Sequence, residues 1–398
     1  MSFQKTVLIF EPDASGHHPG YLYHLLKHFL NEKYDFRLAV LVNPDFFEKH
    51  PSIIQKTSAE NIEWISTSET TFNDWKNSKS DVIKRAKLEW AICAEYAKNL
   101  QAVHILMMYF DHLQLACLTE QKPSCPVSGI LFRPTLVNYP VNSIKEKISF
   151  WRKYLLLKAI LHRKSLSTLF CLDPFAVDFI QQNWKSNKVK FLPDPVQVYP
   201  NTKSIDSLKE KLGITESKKV FLIFGHLDDR KGISTVMDTF MNLSEDEAKN
   251  VCLLIVGPWD EQEKLRFEQK LTLLQQKNSV QVIVHNHFVA DEEIQSFFEV
   301  SDYILALYQK HIGMSAIMVR AASAQKPLIT YHYGLMGKIT AEKQLGLLIN
   351  ETIKDDFLRQ IKTLLNSSNL QIGNQQNMKE FAELNQAKNY AKVILDSF

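Results

Sequence analysis

Short apolar runs rich in β-branched residues alternate along the chain with longer stretches whose apolar residues recur every three or four positions. The first pattern predicts buried strands and the second amphipathic helices. In the first half the strands are expected at Thr6–Phe10, Phe36–Val42, Val103–Met108, Val127–Phe132, Ser167–Cys171 and Val189–Leu192. In the second half they are expected at Val220–Phe224, Val251–Val256, Val280–Val284, Tyr303–Leu307, Leu328–Tyr331 and Leu347–Ile349. Helical segments such as 80–100, 144–164, 231–243 and 260–277 lie between them. Near-continuous apolar strands separated by helices predict parallel sheets covered on both faces, an α/β protein of doubly wound type. The proline-rich stretch "LPDPVQVYPNTKSID" can continue neither helix nor strand. It reads as a linker that divides the chain into domains 1–198 and 199–377, followed by a last helix at 378–398.

Composition narrows the class. The 398 residues carry a formal net charge of only +3, so no overall basic field points to nucleic acid. The five cysteines are scattered without metal-ligand or redox spacing, which suits reduced, buried thiols in a cytoplasmic protein. The N-terminal "MSFQKTVLIFEPD" reads as a first strand rather than a signal peptide, and no apolar run is long enough to span a membrane.

In doubly wound sheets, ligands bind outside the carboxyl ends of the strands, near helix N-termini, so the strand-to-helix turns are where chemistry is expected. The first, "FEPDASGHHPGYLYHLL", places Gly16 and a histidine pair before a helix that starts near Pro19. It matches neither a dinucleotide fingerprint nor a Walker loop, and an ordinary βα loop explains it equally well. The second, "LIFGHLDDRKGI", ends a strand at Gly225 and His226, then sets Arg230 and Lys231 at the mouth of a helix. Two cations there oppose the helix dipole, at about 0.3–1 kcal/mol each. A bound anion, with phosphate the obvious candidate, would resolve the conflict; pairing with Asp228 and Asp229 is the alternative. The third, "LYQKHIGMSAIMVRAASAQKPLITYHYGLMGKIT", offers His311, Gly313 and Ser315 before a small-residue helix carrying Arg320. A second glycine-bearing mouth follows at Tyr333, Gly334, Leu335 and Met336. On the N-terminal side, Asp111 and His112 end the strand "VHILMMYF". They could orient a ligand, or act as a helix cap and a surface residue.

"FGHLDDRKGI", "VCLLIVGPWD", "VSDYILALY" and the helix ending "AQKPLI" together resemble retaining glycosyltransferase family 4. "GHHPGYL" resembles that family's first glycine-bearing loop, and "VKFLPDPV" the end of its N-terminal domain. The resemblance implies the GT-B fold: two Rossmann-like domains, the N-terminal one on the acceptor side and the C-terminal one holding a nucleotide-diphosphate sugar. It implies that the last helix, 378–398, crosses back onto the N-terminal domain. Lys231 matches the family's phosphate-binding lysine. His226 stands where the family usually has an arginine, a role that Arg230 could take. The family's paired glutamates would fall on Ile312 and Arg320, so the chain is more similar to a branch with a serine-containing loop, an Arg-Ala-Ala helix and a Tyr-Gly-x-Met-Gly turn.

The activity so implied is hexosyl transfer to a glycan, lipid or small-molecule acceptor with retention, with no metal and no cofactor beyond the nucleotide-sugar co-substrate. Lys231 and Arg230, helped by His112 and Asp111, would carry catalysis. Gly16, Gly225, His226, His311, Gly313, Ser315, Arg320 and Tyr333–Met336 would hold the donor. The changed glutamate positions motivate an alternative, a non-catalytic nucleotide-sugar binding or scaffold protein of the same fold. A sugar phosphorylase or epimerase on that fold is a third option. No nucleic-acid partner is expected. Residues 145–164, a basic amphipathic helix with Phe150, Trp151 and Tyr154, suit peripheral contact with the inner face of a membrane, or simple packing on the sheet with a solvated basic face.

Overall fold

Each expected strand forms, within one residue at either end, because each is an apolar run that only a sheet covered on both faces can bury. A computed structural model describes all residues except 1–4, 138–142, 200–203, 216, 260 and 368–370. The first sheet contains β1 (Lys5–Glu11), β2 (Phe36–Val42), β3 (Ile62–Ser66), β4 (His104–Met107), β5 (Val127–Leu131), β6 (Leu166–Cys171) and β7 (Val189–Phe191). Its order is β3-β2-β1-β4-β5-β6-β7. The second contains β8 (Lys219–Phe224), β9 (Val251–Val256), β10 (Gln281–His285), β11 (Tyr303–Ala306), β12 (Leu328–Tyr331) and β13 (Gly346–Ile349), in the order β10-β9-β8-β11-β12-β13. All pairings between these strands are parallel. The direction of winding reverses between β1 and β4 in one sheet and between β8 and β11 in the other, so each has a switch point at which ligands favour binding.

The helices that frame the sites are α1 (His18–Asn31), α2 (Val82–Asn99), α3 (Gln114–Thr119), α4 (Ile144–Ile160), α5 (Ile233–Phe240), α6 (Asp291–Val300), α7 (Ala316–Ser323), α8 (Gly334–Lys343), α9 (Gln375–Leu384) and α10 (Ala387–Leu395). Their starts follow local chemistry. Proline occupies the first turn of α1, where its missing N–H costs nothing. Asp81 caps α2 by accepting from Ile83 and Lys84 N–H, and Ser143 and Glu146 form a capping box on α4. The expected helix at 260–277 begins at Lys264, with Asp260 outside the described residues.

The chain divides into unit 1, Met1–Pro195 with Ala387–Phe398, and unit 2, Val196–Gln386. Each has its own apolar core. The stretch read as a linker is not solvated: Leu192, Asp194 and Val196 are buried, and Asp194 accepts the Tyr21 hydroxyl. Pro200 and the three residues after it lie outside the described part of the chain. The single last helix expected at 378–398 is two helices broken at Asn385–Gln386. The first, α9, packs on α7 and α8 in unit 2; the second, α10, packs on α1 in unit 1. Apolar spacing carries through the break, which is why the sequence pattern ran the two together. All five cysteines are buried free thiols. Among the described residues no helix is long and apolar enough to cross a membrane.

His104 gives unit 1 a pH signature. It is buried in β4 with Nε2 2.9 Å from Ser128 Oγ, and burial pushes its pKa down to about 4 from the ordinary 6.5. A folded pKa below the unfolded one means that the native state resists protonation. The associated stability is complete above pH 6.5 and is lost as pH falls towards 4, up to about 3 kcal/mol. Replacing it in His104→Asn should remove that slope. Urea unfolding of wild type and variant, compared between pH 7 and pH 4, should show the gap between them change by about this amount. Parallel curves would contradict the assignment.

Candidate functional site

In unit 2 the turn after β8 builds a cation pocket. Asp228 accepts from Arg230 N–H and starts a 3₁₀ turn, Asp229–Lys231. Gly232 follows in a left-handed conformation and α5 begins only at Ile233. The two cations therefore precede the helix rather than opening it, and they part company. Arg230 is exposed and turns back onto Asp228, with Nε 3.0 Å from Oδ2, which is the pairing the sequence left as the alternative. Lys231 points inwards. Its Nζ donates to Phe224 O at 3.2 Å and to Tyr308 Oη at 2.8 Å, and it sits 4.3 Å from the centre of the Tyr308 ring.

Gly225 makes room for that ammonium. Its φ is +109°, and a Cβ there would stand 3.2 Å from Lys231 Nζ. Any side chain at Gly225 would both strain the backbone and cover the lysine. His226, next in line, is exposed.

Two further turns close around the same end of the sheet. Tyr333 donates its hydroxyl to Tyr308 O at 2.8 Å and accepts from Lys310 N–H at 2.7 Å. It thereby staples the loop after β11. Leu335 N–H bonds Ile312 O at 3.2 Å, and Gly334 has φ +71° with its Cα side pressed on the His311 carbonyl. These contacts bring His311, Gly313 and the start of α8, with Leu335 and Met336, to one place. His311 Nε2 lies 3.2 Å from Met314 O, and its ring stands edge-on to Tyr308 at 5.5 Å. Ser315 precedes α7 without capping it through its side chain.

Arg320, on α7, feels the charges of Asp291, at the start of α6, and of Tyr199. Its Nη1 is buried without a hydrogen-bond partner among the described residues, and burial lowers its pKa.

In unit 1 the switch point between β1 and β4 gathers rings and carboxylates. His18 Nδ1 lies 2.8 Å from Oε2 of Glu11, which is buried at the end of β1. Burial opposes a charge on His18, but the Glu11 charge and hydrogen bond prevail and hold the ring above its ordinary range. Gly16, just before, is exposed with φ +61° and open space around it. His17 stacks on His18, and both rings continue through Phe132 and Tyr109 to His112, at centroid spacings of 4.7–5.5 Å.

His112 Nε2 is 2.7 Å from Oε2 of buried Glu89, which also takes Arg85 Nε and Trp75 Nε1. Burial raises the Glu89 pKa, but the hydrogen bond and charge of His112, with those of Arg85, outweigh it and keep the group below the usual carboxylate range. The imidazole is thus fixed through one nitrogen, leaving Nδ1 for a ligand. Asp111, beside it, is bound by the backbone. Its two oxygens accept Phe132 N–H at 2.8 Å and Arg133 N–H at 2.6 Å. Burial raises its pKa, and it holds the loop after β5. That loop also holds Thr135, a buried β-branched residue, at φ +50°, a conformation such residues rarely adopt.

Sequence reasoning missed Glu11, Glu89, Tyr109, Phe132 and Tyr308. Glu11 carried a signal, an acid ending an otherwise apolar strand. The rest lie within loops or helices where nothing local marks them.

Residues 204–384, within unit 2, match the family described as glycosyl transferases group 1. The chain is 24% identical over 229 residues to the lipopolysaccharide glucosyltransferase WaaG of Escherichia coli, which covers 55% of this chain and 58% of that relative. The match therefore spans a little over half of the relative. The crystal structure of WaaG, a glycosyltransferase involved in lipopolysaccharide biosynthesis, superposes with a TM-score of 0.64 and 15% identity over 98% of both chains. The structure of Anabaena HepE in complex with UDP and glucose gives a TM-score of 0.62 and 14% identity over 99% of this chain and 96% of that one. The fold is GT-B, with a Rossmann-like sheet in each unit.

Proposed function

We propose that this protein is a glycosyltransferase that moves a hexosyl group from a nucleotide-diphosphate sugar to an acceptor with retention, and that it needs no metal. The observation that carries the reading is Lys231: an inward-facing ammonium beneath Gly225, held by Phe224 O and Tyr308 Oη, inside the segment that matches the group 1 family. A preorganised cation at that point stabilises the diphosphate as it leaves, without reorganisation during the reaction. The bond from the anomeric carbon to the diphosphate oxygen breaks, and the acceptor oxygen bonds to the same face of that carbon. The acceptor's proton passes to the departing phosphate oxygen, so no general-base triad is required.

Arg230 contributes little in this scheme, since Asp228 already neutralises it. Turnover undiminished by EDTA would support independence from metal. The binding-only alternative is not favoured by the match to group 1 glycosyl transferases. UDP is the first nucleotide to test, because HepE, of the same fold, was solved with UDP and glucose.

Arg320 stands where the resemblance places one of the family's paired glutamates, and a contact from it to the nucleotide is part of the same reading. Replacing it in Arg320→Ala should weaken nucleoside diphosphate binding by about 1.5–3 kcal/mol, the worth of a charge-assisted hydrogen bond. Isothermal calorimetry reads this directly; an unchanged dissociation constant would make Arg320 a packing residue only.

Peripheral membrane contact through the basic helix is part of the same reading. On α4, Ile144, Ile148, Trp151 and Leu155 are exposed at helical spacing, 77%, 65%, 57% and 61% respectively, with lysines and Arg152 beside them. Such a face suits an interface with anionic lipid.

A further inference from the structure

A groove of about 780 Å³ opens in unit 1 between α2, α3 and α4. Its walls are apolar along most of their length: Val82, Ile83 and Ala86 from α2, Leu115 from α3, Leu155 and Leu156 from α4. Val82, Ile83 and Leu155 are more than half exposed. One end of the groove differs. There Tyr109 and His112 meet Arg133, Arg152 and Lys153. The carboxylate at that end, Asp111, already accepts two backbone N–H groups. Arg152 and Arg133 also bear on Lys153, whose pKa is lowered by burial and by those two guanidinium groups and is held up by the nearby Asp111 charge, so one carboxylate accompanies the three cations.

An apolar trough that ends in three clustered cations is complementary to one kind of molecule. We propose that the groove binds the acceptor, and that the acceptor is an amphiphile in which a hydrocarbon chain is joined to a phosphate group. The chain lies between α2 and α4, and the phosphate meets Arg133, Arg152 and Lys153. The groove runs up to His112, whose Nε2 is fixed by Glu89, so the polar head reaches the carboxyl ends of β4 and β5. The inference rests on the glycosyltransferase reading for the word acceptor, but the binding site stands on unit 1 alone.

Two features of the ligand can be tested separately. Each methylene seated in an apolar groove adds about fourfold in affinity, so two carbons add about fifteenfold. The full chain is titrated with octyl, decyl and dodecyl phosphate, all below their micellar concentrations, and with dodecyl maltoside and inorganic phosphate as controls. Dodecyl phosphate should bind about two-hundredfold more tightly than octyl phosphate, and at least tenfold more tightly than either control. Equal affinity along the series would overturn the apolar part, and equal affinity of dodecyl maltoside would overturn the cation part.

Leu155→Glu and Ile83→Glu alter exposed side chains and should each weaken dodecyl phosphate at least tenfold, with circular dichroism unchanged. The double change Arg152→Ala with Lys153→Ala should abolish the preference for phosphate over maltoside. UDP is titrated into the same samples. Intact UDP binding without any binding of dodecyl phosphate sinks the groove and leaves the donor reading standing; dodecyl phosphate binding without UDP binding does the reverse.

Discussion

Lys231→Ala should lose about two to three orders of magnitude in turnover while its melting temperature stays near that of the wild type. The size follows from removing one preorganised charge from the point at which negative charge develops, which costs about 10²–10³ in rate. The small effect on stability follows from the setting. Lys231 is half-buried, and its two partners, Phe224 O and Tyr308 Oη, border the open end of the sheet. The core beneath, with Phe221, Ile223 and Leu307, does not depend on it. Arg230→Ala is the contrast, because that side chain is exposed and engaged by Asp228, and its loss should cost less than tenfold. The comparison is made by following release of nucleoside diphosphate from a sugar donor. Equal effects of the two substitutions would return both cations to one role and undo the division that the structure makes between them.

Deleting residues 387–398 should unfold unit 1. The helix removed, α10, buries Tyr390, Ala391, Ile394 and Leu395 almost completely, and it packs along α1. The Tyr390 ring stands edge-on to Tyr21 at 5.4 Å. Burial of a large apolar side chain is worth about 1.5–3 kcal/mol, so Tyr390, Ile394 and Leu395 together supply about 5–9 kcal/mol. A whole domain typically has about 5–15 kcal/mol to lose. Tyr21 on α1 would lose the Tyr390 ring, and Phe36 and His104 would lose the Phe398 ring. Limited proteolysis should then cut throughout residues 5–195, with unit 2 resisting as before. A protected unit 1 in the shortened chain would show that α10 adds little.

The strands were readable because a fully buried parallel strand must be apolar at nearly every position. The one missed, β3, is "IEWIS", in which Ile62 is buried and Glu63 and Ser66 are exposed. It lies at the sheet edge, so it carries too few apolar residues to stand out. The break between α9 and α10 was hidden for a different reason. Both helices are amphipathic, and the chain changes units at Asn385–Gln386 without a glycine or proline to mark it.

At the site, residue type and spacing identified the β8 turn but not the direction of its side chains. Lys231 and Arg230 are adjacent in sequence, yet one faces Tyr308 and the other Asp228, and Tyr308 comes from a strand end 77 residues on. Asp111 shows the same limit. Its position at a strand end suggested a contact with substrate, whereas two backbone donors from the β5 loop already claim it. The histidine at 112 gains its fixed geometry from Glu89, which lies on a helix 23 positions earlier. Contacts of that range are set by topology, which a single sequence displays only through its strands and turns.

The central claim is that unit 2 holds the diphosphate of a nucleotide sugar on Lys231. Isothermal calorimetry of the full chain with UDP, GDP and ADP in the presence of EDTA tests it most directly. One of the three should bind saturably at one site per chain, and Lys231→Ala should weaken that binding at least tenfold. No binding by any of them, or binding that Lys231→Ala leaves unchanged, would contradict the account.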